Sequence, residues 1–178
     1  MTTLRHILSL ATLAGLATAA PAFAQDEPQV FNAFAVANAN GTVVRSAEKQ
    51  FVVAGTLTGP MFIETDEGPV DAGHVTCAAS VNVDEATAKT SASGGCTFTA
   101  NDGAQAWGEW QCAGYLLVGC RGKLTLKGGS DRFKGVSGEG TMIWRPSASE
   151  FKKQLDGSAL QNASGIVIWR NFRIAKMQ

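Results

Sequence analysis

The amino-acid sequence predicts an all-β fold, a single antiparallel barrel or sandwich. Three observations predict it: apolar residues alternate with polar ones along most segments, turn signals separate these segments, and the segments recur about every dozen residues. Alternation with a period of two places one face of a strand on a core and the other in water. This rhythm is typical of antiparallel barrels and sandwiches and not of parallel α/β sheets.

The alternating segments indicate which side chains face the core. In segment 51–58 every second residue from Phe51 is predicted to face inward, and in segment 74–83 the same holds from Val75. In the region 123–127, Leu124 and Leu126 form the inward set. Near the C-terminus the residues that share one parity are Ile166, Ile168, Phe172 and Ile174. We expect all of these residues to lie on the core face of their strands.

Short sequences rich in glycine are typical of the turns between such strands. They are Asn40-Gly41, Glu67-Gly68-Pro69, Ser93-Gly94-Gly95, Asp102-Gly103 and Gly128-Gly129. The Asn-Gly and Asp-Gly pairs favour two-residue hairpin loops, because asparagine, aspartate and glycine tolerate a positive φ. We therefore expect hairpins at Asn40-Gly41 and Asp102-Gly103 and an interruption of the strand pattern at the other sequences.

Two segments need separate treatment. Gln29–Ala39 is compatible with a strand or a short helix, and the Asn-Gly signal that follows favours a strand. Ser147–Leu155 is the best helix candidate, with Ser149 as its capping residue and with Phe151 four positions before Leu155. The expected fold is therefore a barrel with a short helix near the C-terminus.

The N-terminal residues have the features of a secretory signal peptide. Arg5 and His6 give a positive start, an uncharged apolar run follows, and Ala22-Phe23-Ala24 supplies the small residues that precede a cleavage site. We expect residues 1–24 to be the signal peptide and residues 25–178 to be a single β-barrel domain. The apolar run is shorter than the roughly 20 residues of a membrane span, and no later stretch is apolar enough to span. The predicted location is periplasmic or secreted, with an uncleaved anchor as the alternative.

Composition and cysteine content restrict the possible functions. The 15 basic and 15 acidic residues balance, which argues against a nucleic-acid partner, and a hydrophobic fraction of 45% excludes a disordered chain. An even number of cysteines in an exported protein indicates two disulfides rather than a metal site, which favours closely spaced pairs. Three pairings are possible. Our hypothesis joins Cys112 to Cys120, around an apolar loop, and Cys77 to Cys96 on neighbouring strands.

The segment 123–144 contains the most informative glycine pattern. Gly128-Gly129 ends a strand, a loop follows, and further glycines lead into the next strand. Glycines allow a positive φ and a close approach of the backbones at such a crossover. We expect Phe133 to close the end of the core and Asp131 to adopt a left-handed conformation, which aspartate tolerates better than most residues.

This segment resembles a motif of the allene oxide cyclase-like and dirigent-like barrels, of the form G-G-[ST]-G-x-F-x-G-[IV]-x-G. The matching residues are Gly128, Gly129, Ser130, Phe133, Gly135, Val136 and Gly138. Asp131 departs from the motif, which usually has glycine there. The resemblance implies an eight-stranded antiparallel barrel of the calycin-like or allene oxide cyclase-like type, with a central cavity. Some members cyclise or couple hydrophobic substrates, but no catalytic residue of the plant allene oxide cyclases can be matched to this chain.

Tryptophans are the main candidates for a binding surface. Trp107 and Trp110 flank Glu109, and a bulge at Gly108 would place both indoles on one face. Exposed indoles stack on ligands or line an apolar cavity, whereas buried ones fill a core, and we favour core filling. If these residues do bind a ligand, the candidate set is Trp107, Glu109, Trp110 and Trp144.

Signals for catalysis or metal binding are weaker. His74 is the only histidine beyond the signal peptide, and an exposed residue at the start of a strand is favoured over a general base or a metal ligand. A solvated turn is favoured over a calcium site for the acidic cluster of Glu64, Asp66, Glu67 and Asp71. We assign no catalytic residue and predict no metal and no cofactor.

Two functions remain compatible with the sequence. The first is an exported, disulfide-stabilised, non-enzymatic barrel that binds a small apolar ligand or a periplasmic protein partner. The second is a cavity enzyme of the cyclase or isomerase type acting on a hydrophobic substrate, which rests on the family resemblance, with Glu109 as the residue to test. If Glu109 faces water, the second function loses its candidate. The sequence leaves the oligomeric state open.

Overall fold

Antiparallel strands close into one barrel in the computed structural model, which describes residues 28–155 and 158–176. The eight strands of this part of the chain are β1 (Gln29–Ala47), β2 (Gln50–Thr65), β3 (Gly68–Asp84), β4 (Lys89–Thr99), β5 (Gln105–Tyr115), β6 (Gly119–Gly129), β7 (Val136–Pro146) and β8 (Ala159–Lys176). Each strand pairs with the next, and β1 also pairs with β8, which closes the ring. The predicted antiparallel all-β barrel is confirmed, and Gln29–Ala39 belongs to a strand.

A short helix, α1 (Ala148–Leu155), joins β7 to β8, as predicted. The N–H of Phe151 donates to the carbonyl of Ser147 at 3.1 Å, so the helix begins just after Ser147. Ser149 therefore lies within the first turn, and its predicted role as the capping residue is wrong. Among the described residues, no helix has the length and apolar character needed to cross a bilayer. The predicted signal peptide, residues 1–24, lies outside the described residues.

The barrel interior receives the side chains that the alternation predicted on β2, β3 and β6. Phe51, Val75 and Leu124 are buried, and they belong to strands whose burial alternates along the chain. Burial of such apolar side chains removes their surface from water and stabilises the fold by about 25 cal/mol per Å² of area. The interior of the barrel is thus the hydrophobic core.

Both disulfides lie inside the barrel. Cys77 on β3 is joined to Cys96 on β4, and Cys112 on β5 is joined to Cys120 on β6. All four cysteines are buried, and each bridge links two neighbouring strands. The hypothesis for the cysteine pairing is confirmed.

Several predicted turns are confirmed. The β2–β3 turn precedes Gly68, and β6 ends at Gly129. Asp102 and Gly103 lie in the β4–β5 hairpin, but its loop contains three residues because the N–H of Ala100 donates to the carbonyl of Ala104. A three-residue loop with glycine at positive φ is the next commonest hairpin connection after the two-residue loop.

The segment after β6 also has the predicted conformation. Asp131 has a φ of 50° and begins a 3₁₀ turn, Asp131–Phe133. Phe133, at the end of this turn, packs against the core. The loop therefore closes part of one end of the barrel.

Two of the predicted turns are wrong, because their glycines lie inside strands. Asn40 and Gly41 lie within β1, where Gly41 directly faces Gly55 of β2. A Cβ atom on Gly41 would lie 2.6 Å from the carbonyl oxygen of Ala54, so the glycine permits a close approach of the two strands. Gly94, of the predicted break at 93–95, lies within β4. A Cβ atom there would overlap the carbonyl oxygen of Ala78, so this glycine also permits a close approach of two strands.

The β1–β8 seam contains two bulges with the same construction. Opposite Asn32 of β1, Asn171 of β8 has a φ of 50°, and its N–H donates to Asn32 Oδ1 at 2.9 Å. Opposite Asn40, Asn162 has a φ of 48°, and its backbone N–H donates to Asn40 Oδ1, also at 2.9 Å. Each bulge adds one residue to β8, and an added residue reverses the alternation beyond it.

These bulges explain a wrong prediction for β8. Ile166 and Ile168 face outward, whereas Phe172 and Ile174 pack in the core. The four residues share a parity in the sequence, but the bulge at Asn171 falls between the two pairs. The inward side chains before the bulge are instead those of Val167 and Trp169.

Substitution of Asn171 tests the construction of the seam. Asn171→Ala is expected to lower the free energy of unfolding by about 1–2 kcal/mol, because a Cβ without a polar group is disfavoured at positive φ. Asn171→Gly should retain most of the stability. Urea unfolding followed by circular dichroism measures both variants.

Asn82→Ala is the matched control, because Asn82 is exposed on β3 outside any bulge. It should change the stability by less than about 0.5 kcal/mol. An equal loss for Asn171→Ala and Asn171→Gly would contradict the assigned role of φ.

Candidate ligand-binding cavities

The barrel is hollow at both ends. The larger cavity, of about 910 Å³, opens at the end that carries the β2–β3, β4–β5 and β6–β7 turns. The smaller cavity, of about 120 Å³, lies at the opposite end beside the β5–β6 turn and α1. On β3, Ala72 lines the larger cavity, Cys77 lines the smaller one, and the fully buried Val75 lies between them. A packed middle section therefore separates the two cavities.

The wall of the larger cavity is mainly apolar. Successive side chains of a strand point to opposite faces, so the apolar positions of each strand face the cavity and the polar positions face the solvent. Its principal apolar side chains are Phe31, Met61, Ile63, Phe98, Leu126 and Phe172. A wall of this composition suits an apolar guest.

Trp169 forms part of the same wall. Its ring meets that of Phe98 edge to face, with centroids 5.3 Å apart, and the residue is only 2% exposed. Among the described residues, the buried indole N–H groups of Trp169 and Trp110 have no hydrogen-bond partner. A buried donor without a partner costs about 1–3 kcal/mol, so such groups are rare in proteins.

The mouth of the larger cavity carries charged side chains. Arg132 Nε lies 2.7 Å from Asp102 Oδ2, and the guanidinium stands 4.5 Å from the ring centroid of Phe133. The N–H of Ala104 donates to Asp102 Oδ1 at 3.1 Å, and this hydrogen bond, together with Arg132, lowers the pKa of Asp102. Asp71 also lies at the mouth. The site thus combines an apolar wall with a polar rim.

The smaller cavity is bounded by aromatic side chains and the β5–β6 turn. Trp110 of β5 lies over Gly94 of β4, where a Cβ atom would be 3.0 Å from the indole Cζ2. Trp144 contacts the ring of Phe151 on α1 edge to face, with centroids 5.9 Å apart. A side chain at Gly165 would overlap the Trp144 ring, so this glycine makes room for the indole.

One carboxylate of helix α1 bonds directly to β8, and Phe151 packs beside it against Leu160 and Ala163. Glu150 Oε2 accepts the N–H of Ser164 at 2.7 Å and its hydroxyl at 2.8 Å. Both hydrogen bonds favour the ionised carboxyl group, the backbone one most, and they lower the pKa of Glu150. Glu150 therefore positions Phe151, the residue through which α1 lines the smaller cavity.

The candidate residues predicted from the sequence do not form one site. Trp110 and Trp144 line the smaller cavity, whereas Trp107 and Glu109 lie on the outside of the barrel. Trp107 is 42% exposed, and the side chain of Glu109 is 74% exposed and 3.1 Å from Lys127. The prediction that both indoles of β5 share a face is wrong.

The position of a bulge explains this result. Trp107 pairs with Gly128 and Gly108 pairs with Leu126, so the extra residue is Lys127 of β6. Because β5 itself contains no added residue, Trp107 and Trp110 keep opposite parity and face opposite sides.

His74 and the acidic cluster lie outside the cavities or at their edge. His74 is exposed within β3, rather than at its start, and its Nε2 is 2.9 Å from Thr58 Oγ1. Glu64 is paired with Arg170 at 2.9 Å, and Asp71 Oδ1 accepts the N–H of Gly73. In residues 28–155 and 158–176, no group of three or more potential ligand side chains is arranged for a metal ion.

Several cavity residues were not selected from the sequence. Phe98, Met61 and Phe172 line the larger cavity, although none was a candidate for binding. For Phe98 and Met61 the alternation of their strands was an available signal. For Trp169 and Phe172, only the bulge at Asn171 brings both side chains inward.

Comparisons with family models, curated proteins and solved structures each gave no match. The resemblance to the allene oxide cyclase-like and dirigent-like barrels therefore stays a prediction.

The attachment of α1 is expected to depend on pH. The pKa of Glu150 in the folded protein is below its usual value of 4.5. The ionised carboxylate therefore contributes fully to the attachment of α1 at any pH above that value. The contribution is lost as the pH falls through the lower pKa of the folded state. An NMR titration of the Ser164 amide measures this change directly.

Glu150→Gln should remove the titration of the Ser164 amide, since it has no ionisable group. Glu48→Gln is the control, because Glu48 is exposed in the β1–β2 turn at the same end of the barrel. A Ser164 signal that titrates unchanged in Glu150→Gln would refute the assignment.

Proposed function

We propose that this protein is an exported, non-enzymatic binding protein that holds a small apolar ligand in the larger cavity. The observation that carries the proposal is an open cavity of about 910 Å³ with a mainly apolar wall. Ligand pockets in proteins commonly measure about 300–1,000 Å³. This cavity is therefore large enough for a guest and not merely for side chains.

The rim suggests the orientation of the ligand. The apolar part of a guest would contact the wall residues Phe31, Phe98 and Trp169. A polar end would remain near Asp102 and Arg132, where water and charged groups meet. Burial of an apolar guest contributes about 25 cal/mol per Å² of covered area.

The alternative of a cavity enzyme receives no support from Glu109. Its side chain is on the outer surface and paired with Lys127, away from both cavities. A carboxylate in this position lies in water and cannot act on a substrate inside the barrel.

The disulfides support the export part of the proposal. Both bridges join cysteines that are buried in the core, and disulfides persist mainly in oxidising compartments. The signal-like N-terminal sequence agrees with the same destination.

A neutral fluorescent probe, N-phenyl-1-naphthylamine, tests the larger cavity. The protein should increase the probe emission in a saturable manner, and decanol should compete for the same site. Ala106→Phe is expected to weaken probe binding at least about tenfold, because the phenyl ring would occupy space that Ala106 leaves open.

Ala113→Phe is the matched control, since Ala113 lies on the same strand but on its exposed face. Ile63→Trp gives a second blocking variant in case Ala106→Phe fails to fold, which near-ultraviolet circular dichroism would detect. Absence of saturable binding to the wild-type protein, or equal binding by all folded variants, would disprove the proposed site.

A further inference from the structure

The β5–β6 turn presents apolar side chains at the end of the barrel that holds the smaller cavity. We call residues 115–118 the apolar tip; they are Tyr115, Leu116, Leu117 and Val118. Tyr115 is 53% exposed and Val118 is 59% exposed; Leu116 and Leu117 line the smaller cavity, and Tyr115 also reaches its edge. The tip therefore exposes the side chains of Tyr115 and Val118 to water, while its two leucines cover the cavity.

The apolar tip is held in place from several directions. The Cys112–Cys120 disulfide joins the two strands at its base. The N–H of Leu116 donates to the carbonyl of Ala88 in the β3–β4 turn at 2.8 Å, and the N–H of Val118 donates to Tyr115 at 3.1 Å. A surface that is already ordered loses little conformational entropy when it binds.

Basic side chains surround the apolar tip. Lys89 is directly opposite Tyr115 on β4, and Arg121 follows the tip on β6. Arg145 Nη1 donates to the carbonyl of Val118 at 3.4 Å. Within the described part of the chain, none of these three cations forms an ion pair. Asp84 faces Lys89 across β3 and β4; its carboxylate accepts the hydroxyl of Thr87 and also attracts the Lys89 ammonium from beyond ion-pair distance.

We propose that the apolar tip docks on the surface of an anionic lipid bilayer. Tyrosine and aliphatic side chains enter the interfacial layer of a bilayer, and lysine and arginine bind the anionic headgroups beside it. A cation near such a surface contributes about 1 kcal/mol, which corresponds to about a fivefold change in partition. The tip provides both kinds of group within one turn and its neighbours.

The opposite end of the barrel supports this orientation. Its three turns carry more acidic than basic side chains: Asp66, Glu67, Asp102 and Asp131 against Arg132 and Lys134. Among the described residues, the end with the apolar tip has the opposite balance: Arg45, Lys49, Lys89, Arg121, Arg145 and Lys152 against Glu48, Asp84, Glu85 and Glu150. An anionic surface would therefore attract that end and repel the other. This surface is separate from the larger cavity, so the inference does not depend on the proposed ligand.

Vesicle flotation of the full chain tests the inference. We expect the protein to float with vesicles of phosphatidylcholine and phosphatidylglycerol and not with vesicles of phosphatidylcholine alone. High salt should weaken the binding, because it screens charges at an exposed surface. Tyr115→Ser combined with Val118→Ser should lower the partition about tenfold, and Lys89→Glu combined with Arg121→Glu should lower it at least about twentyfold.

Matched controls lie at the other end of the barrel. Val30 and Val70 are 58% and 54% exposed, so Val30→Ser with Val70→Ser removes a comparable apolar surface. Lys134→Glu controls for the change of charge. All variants share the same N-terminal segment, so a difference between them reports on the altered side chains. Intact mass and circular dichroism verify the disulfides and the fold.

The possible outcomes distinguish a bilayer from a second copy of the chain as the partner of the apolar tip. Loss of flotation only in the tip and cation variants supports a bilayer. Absence of flotation in the wild-type protein, equal flotation with neutral vesicles, or flotation that all variants retain overturns the inference. It is also overturned if ultracentrifugation shows a wild-type dimer that the tip variant converts to a monomer, because the tip would then join two copies of the chain.

Discussion

The pairing of β1 with β8 is the contact on which the rest of the structure depends. It joins the first and last strands, so it alone converts a meander of neighbouring hairpins into a ring without edges. The cavities exist only inside a closed ring, and the exposed edges of an open sheet would invite association with other chains. The two asparagine bulges at this seam add residues to β8 without interrupting its pairing with β1 over most of its length.

The hollow ends of the barrel place unusual demands on stability. Space that a filled barrel would give to side chains is left open, so fewer apolar contacts stabilise the ring. The two buried disulfides lie in the part formed by β3 to β6 and offset some of this loss, since a disulfide contributes about 2–4 kcal/mol. The part that contains the seam relies on hydrogen bonds and on the packing of Val167, Trp169 and Phe172.

Local sequence patterns predicted the fold because most of them agree with the strand pairing. The alternation at Phe51 and Val75, the helix after Ser147 and the conformation of Asp131 all depend on neighbours in sequence. Asn40-Gly41 failed as a turn signal because pairing with strands on both sides outweighs the local preference of two residues.

The candidate site was harder to predict, because a single added residue decides which side chains face inward. Trp107 and Trp110 lie apart since the bulge is at Lys127, on the neighbouring strand. Trp169 and Phe172 lie together since Asn171 is the added residue between them. Neither position can be located from the alternation of one strand, because a bulge is a property of two paired strands.

Because the ring is closed, the same arrangement of strands can be kept when the chain connects them in a different order. Gln29 pairs with Ile174, so the outer ends of β1 and β8 are neighbours at one end of the barrel. A short linker between them, with a new opening at the exposed Glu48–Lys49 turn, would produce a circular permutant with the same strand neighbours and the same disulfides. This exchange would change where the chain is connected but not the order of the strands around the ring.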